Sequence, residues 1–343
     1  IREESLTGMT SNPTIFEKAL AEGGEYDDQI RDVENEPTLS ELFELLETTD
    51  VRDACDIFRP VYDRTHGGDG FVSIEVSAGV AHDAQASIAE AARLWATVDR
   101  PNVLVKIPGT VEGAKAVQRL IADGININIT LLFSLDAYQR VIDAYVAGLE
   151  ERVRKGKDIR GIASVASFFV SRVDTEVDKR LDALLATAPE SQHARINALK
   201  GQAAIANAKL AYQLFQREID SARWKALAAK GASVQRPLWA STSTKNPAYR
   251  DVMYVEQLIG PQSVNTMPPA TITAFADHGV VSRTVDQDVR HAERVIKDLA
   301  DLGIAMEDVT DKLLKDGIAS FEKSFDELIA GLRKKTSALA HSS

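Results

Sequence analysis

The stretch Val103–Pro108 constrains the fold more than any other part of this chain. It is apolar on both faces, which is typical of a parallel strand buried between helices. Pro108 ends it, because proline cannot donate a hydrogen bond to a sheet ladder. Lys106 is the exception among these aliphatic residues. Burial disfavours the charged form of an amine, and a neutral amine can attack a carbonyl, so Lys106 is a candidate Schiff-base lysine. The alternative is a strand-end lysine whose ammonium reaches the water.

Length and composition bound the class of protein. The chain has 343 residues, 44% hydrophobic and 27% charged, which is typical of a soluble globular protein with room for two average domains or one large barrel. The net charge of -11 argues against nucleic acid and anionic membrane as partners. Cys55 is the single cysteine, which excludes an intrachain disulfide and favours a reducing compartment. No apolar run reaches membrane-spanning length and no signal peptide is visible, so we expect a cytoplasmic protein.

Strand-like and helix-like segments alternate along the chain, which predicts a parallel sheet. The strand-like segments lie at residues 6–12, 71–76, 103–108, 125–130, 162–170, 237–242 and 263–267. Helical patterns lie at residues 38–48, 51–63, 83–98, 111–122, 134–149, 173–185, 194–229, 286–302 and 306–332, and we expect the polar tail 334–343 to fray. Asp83 and Ser134 are the predicted caps of two of these helices. Seven strands fit an open doubly wound sheet, or an eight-stranded barrel whose first strand precedes Ile1.

Polar residues at alternate strand positions favour the barrel. An open parallel sheet covered by helices needs two apolar faces, whereas a barrel opens one face to a site at the carboxyl ends of its strands. Ser73 and Glu75 share one face of their strand. We therefore predict a (β/α)8 TIM barrel with extra helices, as a single domain over residues 1–343 with C-terminal helices at about 286–332. The side chains expected to converge in its pocket are Asn12, Glu75, Lys106, Asn128, Thr130 and Ser167.

This set of side chains suggests carbonyl chemistry through an imine on Lys106. Forming an imine needs a neutral amine and then a proton for the departing hydroxyl. Glu75 could relay these protons directly or through a water held by Thr130. Asn12 and Asn128 could bind substrate hydroxyls, although asparagine at a strand end is more often part of a turn. The six histidines have no metal-ligand spacing, and we expect neither a metal nor another cofactor.

Two cations follow late strands, where barrels often bind phosphate. Arg172 follows the segment 162–170, and Lys245 follows the segment 237–242. Loops after late barrel strands are common phosphate sites, and a guanidinium binds phosphate through two parallel hydrogen bonds. The alternative for both residues is ordinary surface charge.

The segments that carry these residues resemble the transaldolase family, most closely its longer bacterial class within the Schiff-base aldolases. The resemblance spans residues 8 to about 270, with the motifs in the family's order. The matching segments are Thr10–Thr14, Ser73–Val76, Val103–Pro108, Asn128–Ser134, Ser167–Arg172, Trp239–Pro247 and Asn265–Pro269.

The resemblance implies a role for each candidate residue. Lys106 matches the Schiff-base lysine, and Glu75 matches the glutamate that positions the catalytic water together with Thr130. Phe169 matches an aromatic residue of the site; the related small fructose-6-phosphate aldolases tend to carry tyrosine there and glutamine in place of Glu75, so both positions favour transfer. Lys245 stands where shorter members carry a second phosphate-binding arginine. The matches to hydroxyl-binding residues are Asn12 and Asn128, and those to the phosphate-binding pair are Ser167 and Arg172.

The implied function is transaldolase activity in the pentose phosphate pathway, as a transferase without a cofactor. A three-carbon unit would pass from sedoheptulose 7-phosphate to glyceraldehyde 3-phosphate, giving erythrose 4-phosphate and fructose 6-phosphate. The family's general base is an aspartate on a first strand that would precede residue 1, so we expect sequence upstream. We expect a monomer or a homodimer with sugar phosphates as ligands.

Three other functions stay open from the sequence. The chain could be an aldolase that releases free dihydroxyacetone, a catalytically inactive barrel that acts as a binding protein, or a phosphate-binding isomerase barrel. The last would not require Lys106 for activity.

Overall fold

Seven parallel strands form one sheet in the computed structural model of the chain, which describes residues 5–22, 24–33 and 37–340. The strands are β1 (Gly8–Thr10), β2 (Phe71–Glu75), β3 (Val103–Pro108), β4 (Ile127–Leu132), β5 (Ser164–Phe169), β6 (Gln235–Ala240) and β7 (Val264–Asn265). Each strand pairs with the next one along the chain. This order and the helices between the strands confirm the predicted α/β barrel class.

Helices connect the strands and continue after the last one. They are α1 (Pro13–Glu22), α2 (Asp27–Arg31), α3 (Leu39–Arg64), α4 (Ala84–Val98), α5 (Val111–Asp123), α6 (Leu135–Arg154), α7 (Ser171–Leu185), α8 (Glu190–Asn197), α9 (Ala203–Asp220), α10 (Ala222–Ala228), α11 (Met253–Gln257), α12 (Pro269–His278), α13 (Val289–Asp301) and α14 (Met306–Ala340). The side chain of Asp83 accepts from the backbone of Gln85 and Ala86, and Ser134 accepts from that of Ala137, so both predicted caps are confirmed. No helix of the described ranges is long and apolar enough to cross a membrane.

The strands β3, β4 and β5 form the centre of the core, because every one of their residues is buried. β1 and β7 are the two edges of the sheet. A cavity of about 430 Å³ lies at these edges, lined by Gly8 and Thr10 on one side and by Val264 and Asn265 on the other. The expected strand before residue 1 stays a prediction.

The segment 38–63 is one helix, not the two that the sequence predicted. Thr48 and Thr49 lie where the first predicted helix ends, and hydroxyl side chains can compete for backbone hydrogen bonds. Instead Thr48 donates to the carbonyl of Glu44 and Thr49 to that of Leu45, both at 2.7 Å, so their hydroxyls are satisfied inside α3. The predicted start is correct, since Thr38 and Glu41 form a capping box.

Other predicted boundaries also differ from the structure by a few residues, and two of these differences have a clear physical cause. The segment 194–229 is interrupted: Gly201 has a φ of 68°, and the extended Ser221 ends α9 and caps α10. The fourth strand begins two residues later than predicted, at Ile127. Ile125 is unavailable for the ladder because its amide donates to Leu120 in the turn that closes α5.

The C-terminal tail does not fray within the described residues. α14 continues to Ala340, and Lys335 forms an ion pair of 2.9 Å with Asp27. Residues 341–343 of the predicted frayed tail lie outside the described ranges. α14 packs against α1, α3, α7 and β4, which brings the end of the chain back to the carboxyl ends of the strands.

Candidate active site

Strand β3 places Lys106 between two polar neighbours of the same sheet face. In the parallel register Glu75 lies beside Lys106 on β2, and Asn128 lies beside it on β4. The amine Nζ of Lys106 lies 2.6 Å from Oε2 of Glu75 and donates to the carbonyl of Ser11 at 3.0 Å. Lys106 and Glu75 are each only 6% exposed. Lys106 is therefore buried and does not reach the water, as a strand-end lysine would; its role as the Schiff-base lysine stays a prediction.

Burial sets the protonation of the carboxyl groups beside Lys106. Desolvation raises the pKa of Glu75, while the neighbouring ammonium of Lys106 acts in the opposite direction. Glu47 on α3 is also buried, and burial followed by repulsion from Glu75 raises its pKa well above the usual range. Glu75 can therefore exchange a proton with the amine more readily than an exposed carboxylate could.

Two buried oxygen atoms on the strands that flank β3 lack a protein partner. Neither Oε1 of Glu75 nor Oγ1 of Thr130 forms a hydrogen bond with a residue that the structure describes. Thr130 is two positions after Asn128 on β4, so both project from the same face. Buried polar atoms are almost always paired, so these two oxygens are candidates for a hydrogen bond to a ligand or an ordered water.

A chain of hydrogen bonds fixes the amide of Asn128 beside Lys106. Oγ of Ser167 donates to Oδ1 of Asn128 at 2.7 Å, and Nδ2 of Asn128 donates to Oγ of Ser73 at 3.0 Å. All three side chains are buried. β2, β4 and β5 thus hold one amide in a defined orientation, which suits the recognition of a substrate hydroxyl.

Asn12 is partly engaged in local structure. Its Oδ1 accepts from the backbone of Ile15 at 3.0 Å, near the start of α1. This is the turn chemistry that competes with substrate binding for an asparagine at a strand end. The side chain keeps its Nδ2 as a donor toward a ligand.

Arg172 is the best placed cation for a phosphate. It is the second residue of α7, directly after β5, and its guanidinium lies 5.2 Å from the ring centroid of Phe169. Phe169 is buried, and its ring centroid lies 5.2 Å from that of Phe133. Desolvation lowers the pKa of Arg172, and no carboxylate of the described ranges forms a salt bridge with it. A half-buried guanidinium without an acid partner suits an anionic ligand.

Lys245 is separate from this group in the structure. It is exposed on the loop after β6, and its Nζ contacts Oγ of Ser243 at 2.8 Å. Of the six side chains predicted to converge, four are linked by hydrogen bonds or by neighbouring strand positions: Glu75, Lys106, Asn128 and Ser167. In the part of the chain described, no side-chain hydrogen bond links Asn12, Thr130 or Lys245 to them.

Sequence reasoning missed three residues of this pocket. Ser11 supplies the carbonyl that accepts from Lys106, and Ser73 supplies the hydroxyl that fixes Asn128. Ser73 had a signal, because it shares a strand face with Glu75. Phe321 had none: its ring centroid lies 6.0 Å from Nζ of Lys106, although it belongs to α14.

The fold and the site together define an enzyme of the Schiff-base aldolase type. A buried lysine beside a carboxyl group of raised pKa can form an imine with a ketone, and an amide and a guanidinium nearby can hold a polyhydroxy phosphate. No cluster of three or more histidine, cysteine, aspartate or glutamate side chains suited to a metal occurs in the described segments.

Comparison with known proteins gives the family. The model of the transaldolase/fructose-6-phosphate aldolase family matches residues 1–332. A transaldolase of Trichodesmium erythraeum is 49% identical over 99% of this chain and 90% of its own length. Transaldolase 2 of Nostoc sp. is 50% identical over 99% of this chain and 91% of its own length, and a transaldolase of Parafrankia sp. is 48% identical over 99% and 90%. The chain belongs to the transaldolase/fructose-6-phosphate aldolase family.

Proposed function

We propose that this chain is a transaldolase that moves a dihydroxyacetone unit between sugar phosphates through an imine on Lys106. The observation that carries the proposal is the buried pair of Lys106 and Glu75, together with the unpaired oxygen of Thr130 on the neighbouring strand β4. The names of the relatives, at nearly half identity over almost the whole chain, support the same activity.

The first step is the formation of the imine. The ammonium of Lys106 passes a proton to Oε2 of Glu75 across 2.6 Å, and the neutral amine attacks the ketone carbon of the donor. The departing hydroxyl takes a proton from Glu75, or from a water held between Oε1 of Glu75 and Oγ1 of Thr130. Water leaves and the imine remains on Lys106.

Cleavage and transfer follow on the same lysine. A general base takes the proton of the donor's hydroxyl, the carbon–carbon bond breaks, and the aldose phosphate leaves. By resemblance to the family, we assign this role to an aspartate. The three-carbon enamine attacks the aldehyde of the acceptor, and hydrolysis of the new imine releases the ketose phosphate and the free amine.

The remaining side chains position the sugar phosphates. The amide of Asn128, oriented by Ser167 and Ser73, binds a hydroxyl of the donor, and Nδ2 of Asn12 binds another. Arg172 binds the phosphate, with Ser167 nearby on β5. Lys245, exposed on the loop after β6, supplies a second cation for the same phosphate. We infer a cytoplasmic enzyme that works as a monomer or a homodimer.

Reduction by borohydride tests the imine directly. Full-length protein is incubated with fructose 6-phosphate, reduced, digested and mapped by mass spectrometry. We expect a three-carbon adduct on Lys106. A six-carbon adduct would show an imine without cleavage and would contradict transfer. An unmodified Lys106 in folded protein would leave a binding protein or an enzyme without an imine as the better interpretation.

A second buried lysine provides the matched control. Lys209 on α9 is 5% exposed and contacts the carbonyl of Gln287 at 3.2 Å, outside the candidate site. Lys106→Met should abolish the adduct, whereas Lys209→Met should retain it. Loss of the adduct in both variants would indicate a general effect on folding.

A further inference from the structure

α14 supplies one wall of the candidate site, although no motif of the sequence points to it. Gly317, Phe321 and Ser324 are spaced by four and three residues, so they lie on one face of this helix. A Cβ at Gly317 would lie 3.0 Å from Leu131 and 3.6 Å from Nη1 of Arg172. Oγ of Ser324 lies 2.9 Å from Oγ1 of Thr14. This face therefore runs from the phosphate-binding arginine to the start of α1.

Phe321 lies between these two ends, facing the reactive amine. It is 6% exposed, and Nζ of Lys106 lies 6.0 Å from its ring centroid. The oxygens proposed to transfer protons belong to the strands, since Glu75 is on β2 and Thr130 is on β4. The amine is thus bordered by polar groups on the sheet side and by an aromatic ring on the α14 side.

We propose that Phe321 is a specificity-determining residue that keeps water from the three-carbon enamine on Lys106, so that the unit is transferred and not released. The inference rests on the proposed transaldolase function. Closing an apolar group over a reactive intermediate suppresses its reaction with water. Gly317 makes this position possible, because its missing side chain lets α14 approach Leu131 and Arg172.

The two competing reactions differ in one step. In transfer, the nucleophilic carbon of the enamine forms a bond to the aldehyde carbon of the acceptor, whose oxygen takes a proton. In release, the same carbon takes a proton from water, a second water adds to the iminium carbon, and the carbon–nitrogen bond breaks. Release gives dihydroxyacetone and the free amine of Lys106, with no oxidation or reduction. Phe321 opposes only the protonation of the enamine carbon.

The test measures both outcomes in one reaction. Full-length protein is given fructose 6-phosphate and erythrose 4-phosphate, and the initial rates of sedoheptulose 7-phosphate formation and dihydroxyacetone release are recorded. We expect Phe321→Ala to raise the ratio of release to transfer by about tenfold. Phe321→Leu, which keeps an apolar cover, should stay within about twofold of the wild type. Phe321→Val leaves a smaller gap and should give an intermediate ratio, which keeps the test decisive if the alanine variant does not fold.

Phe325 is the matched control on the same helix. One turn further along α14, its ring packs edge-on against that of Phe43 with centroids 5.8 Å apart. Phe325→Ala should lower the melting temperature but leave the ratio unchanged. An unchanged ratio in folded Phe321→Ala or Phe321→Val would overturn the inference, as would an equal rise in Phe325→Ala. Absence of any transfer by the wild type would instead refute the proposed function.

Discussion

Replacing Thr130 by valine removes one oxygen and keeps the shape of the side chain. Thr130 is 1% exposed, and its hydroxyl has no hydrogen-bond partner among the residues described. A buried hydroxyl without a protein partner adds little to stability, so we expect the free energy of unfolding to change by less than about 1 kcal/mol. The same hydroxyl is the proposed anchor of the water that relays protons to the carbinolamine. Loss of a positioned proton relay typically lowers the rate by about a hundredfold or more, and we expect kcat to fall accordingly.

The assay compares stability and activity in the same preparations. Denaturant unfolding gives the free energy of unfolding, and the rate of sedoheptulose 7-phosphate formation at saturating donor and acceptor gives kcat. A variant that folds like the wild type and keeps kcat within about threefold would refute the role of Thr130 in proton relay.

Thr110 provides a control with the opposite expectation. Its buried hydroxyl donates to the carbonyl of Ala81 at 2.6 Å and accepts from the amide of Gly113 at 2.9 Å, where it caps α5. Thr110→Val should cost about 1–3 kcal/mol of stability because it leaves these groups unpaired. The folded fraction should keep its kcat.

Three further predictions follow from other contacts. Arg172→Ala should lower kcat/KM for fructose 6-phosphate by about thirtyfold, the loss of a charge-assisted hydrogen bond worth about 2 kcal/mol, and should have a much smaller effect on imine formation with free dihydroxyacetone; equal losses would contradict a phosphate site. Burial raises the pKa of Asp174 to about 7, so its protonated form stabilises the fold at low pH, and this contribution is lost as the pH rises through about 7. The free energy of unfolding should therefore depend less on pH between pH 5 and 8 in Asp174→Asn, because unfolding of this variant releases about one proton less. An unchanged pH dependence would show that Asp174 does not cause it. Gly148→Ala should destabilise the protein by about 1–3 kcal/mol in denaturant unfolding, because a Cβ there would lie 2.7 Å from the carbonyl of Gln118; wild-type stability would show that α5 and α6 can separate freely.

Much of the site could be predicted because the sheet has its strands in chain order. Neighbouring strands in sequence are neighbours in space, so a polar residue near the end of one strand lies beside a polar residue near the end of the next. The pairs of Glu75 with Lys106 and of Asn128 with Ser167 follow from this rule. Alternation along each strand then selects the common face.

The rest of the site could not be predicted, for two physical reasons. Phe321 reaches Lys106 only through tertiary packing of α14, and an apolar position on an amphipathic helix does not reveal which surface it covers. The side chain of Asn12 can cap the start of α1 or contact a ligand, and the local sequence does not show which of the two it does. The long helix α3 illustrates the same limit, because only the structure shows that Thr48 bonds within its own turn.

The hydrogen bond between Thr14 and Ser324 has a consequence for how this protein matures during synthesis. It joins residues 310 positions apart, at the two ends of the described chain. The strands can pair one after another as they leave the ribosome, since each docks on its predecessor, but α14 emerges only after all of them. Lys106 and its neighbours therefore assemble early and remain uncovered on one side until α14 has been synthesised. A stalled or truncated chain that lacks α14 would leave Lys106 uncovered on the side of Phe321, and we expect it to react with carbonyl metabolites more readily than the chain that has α14.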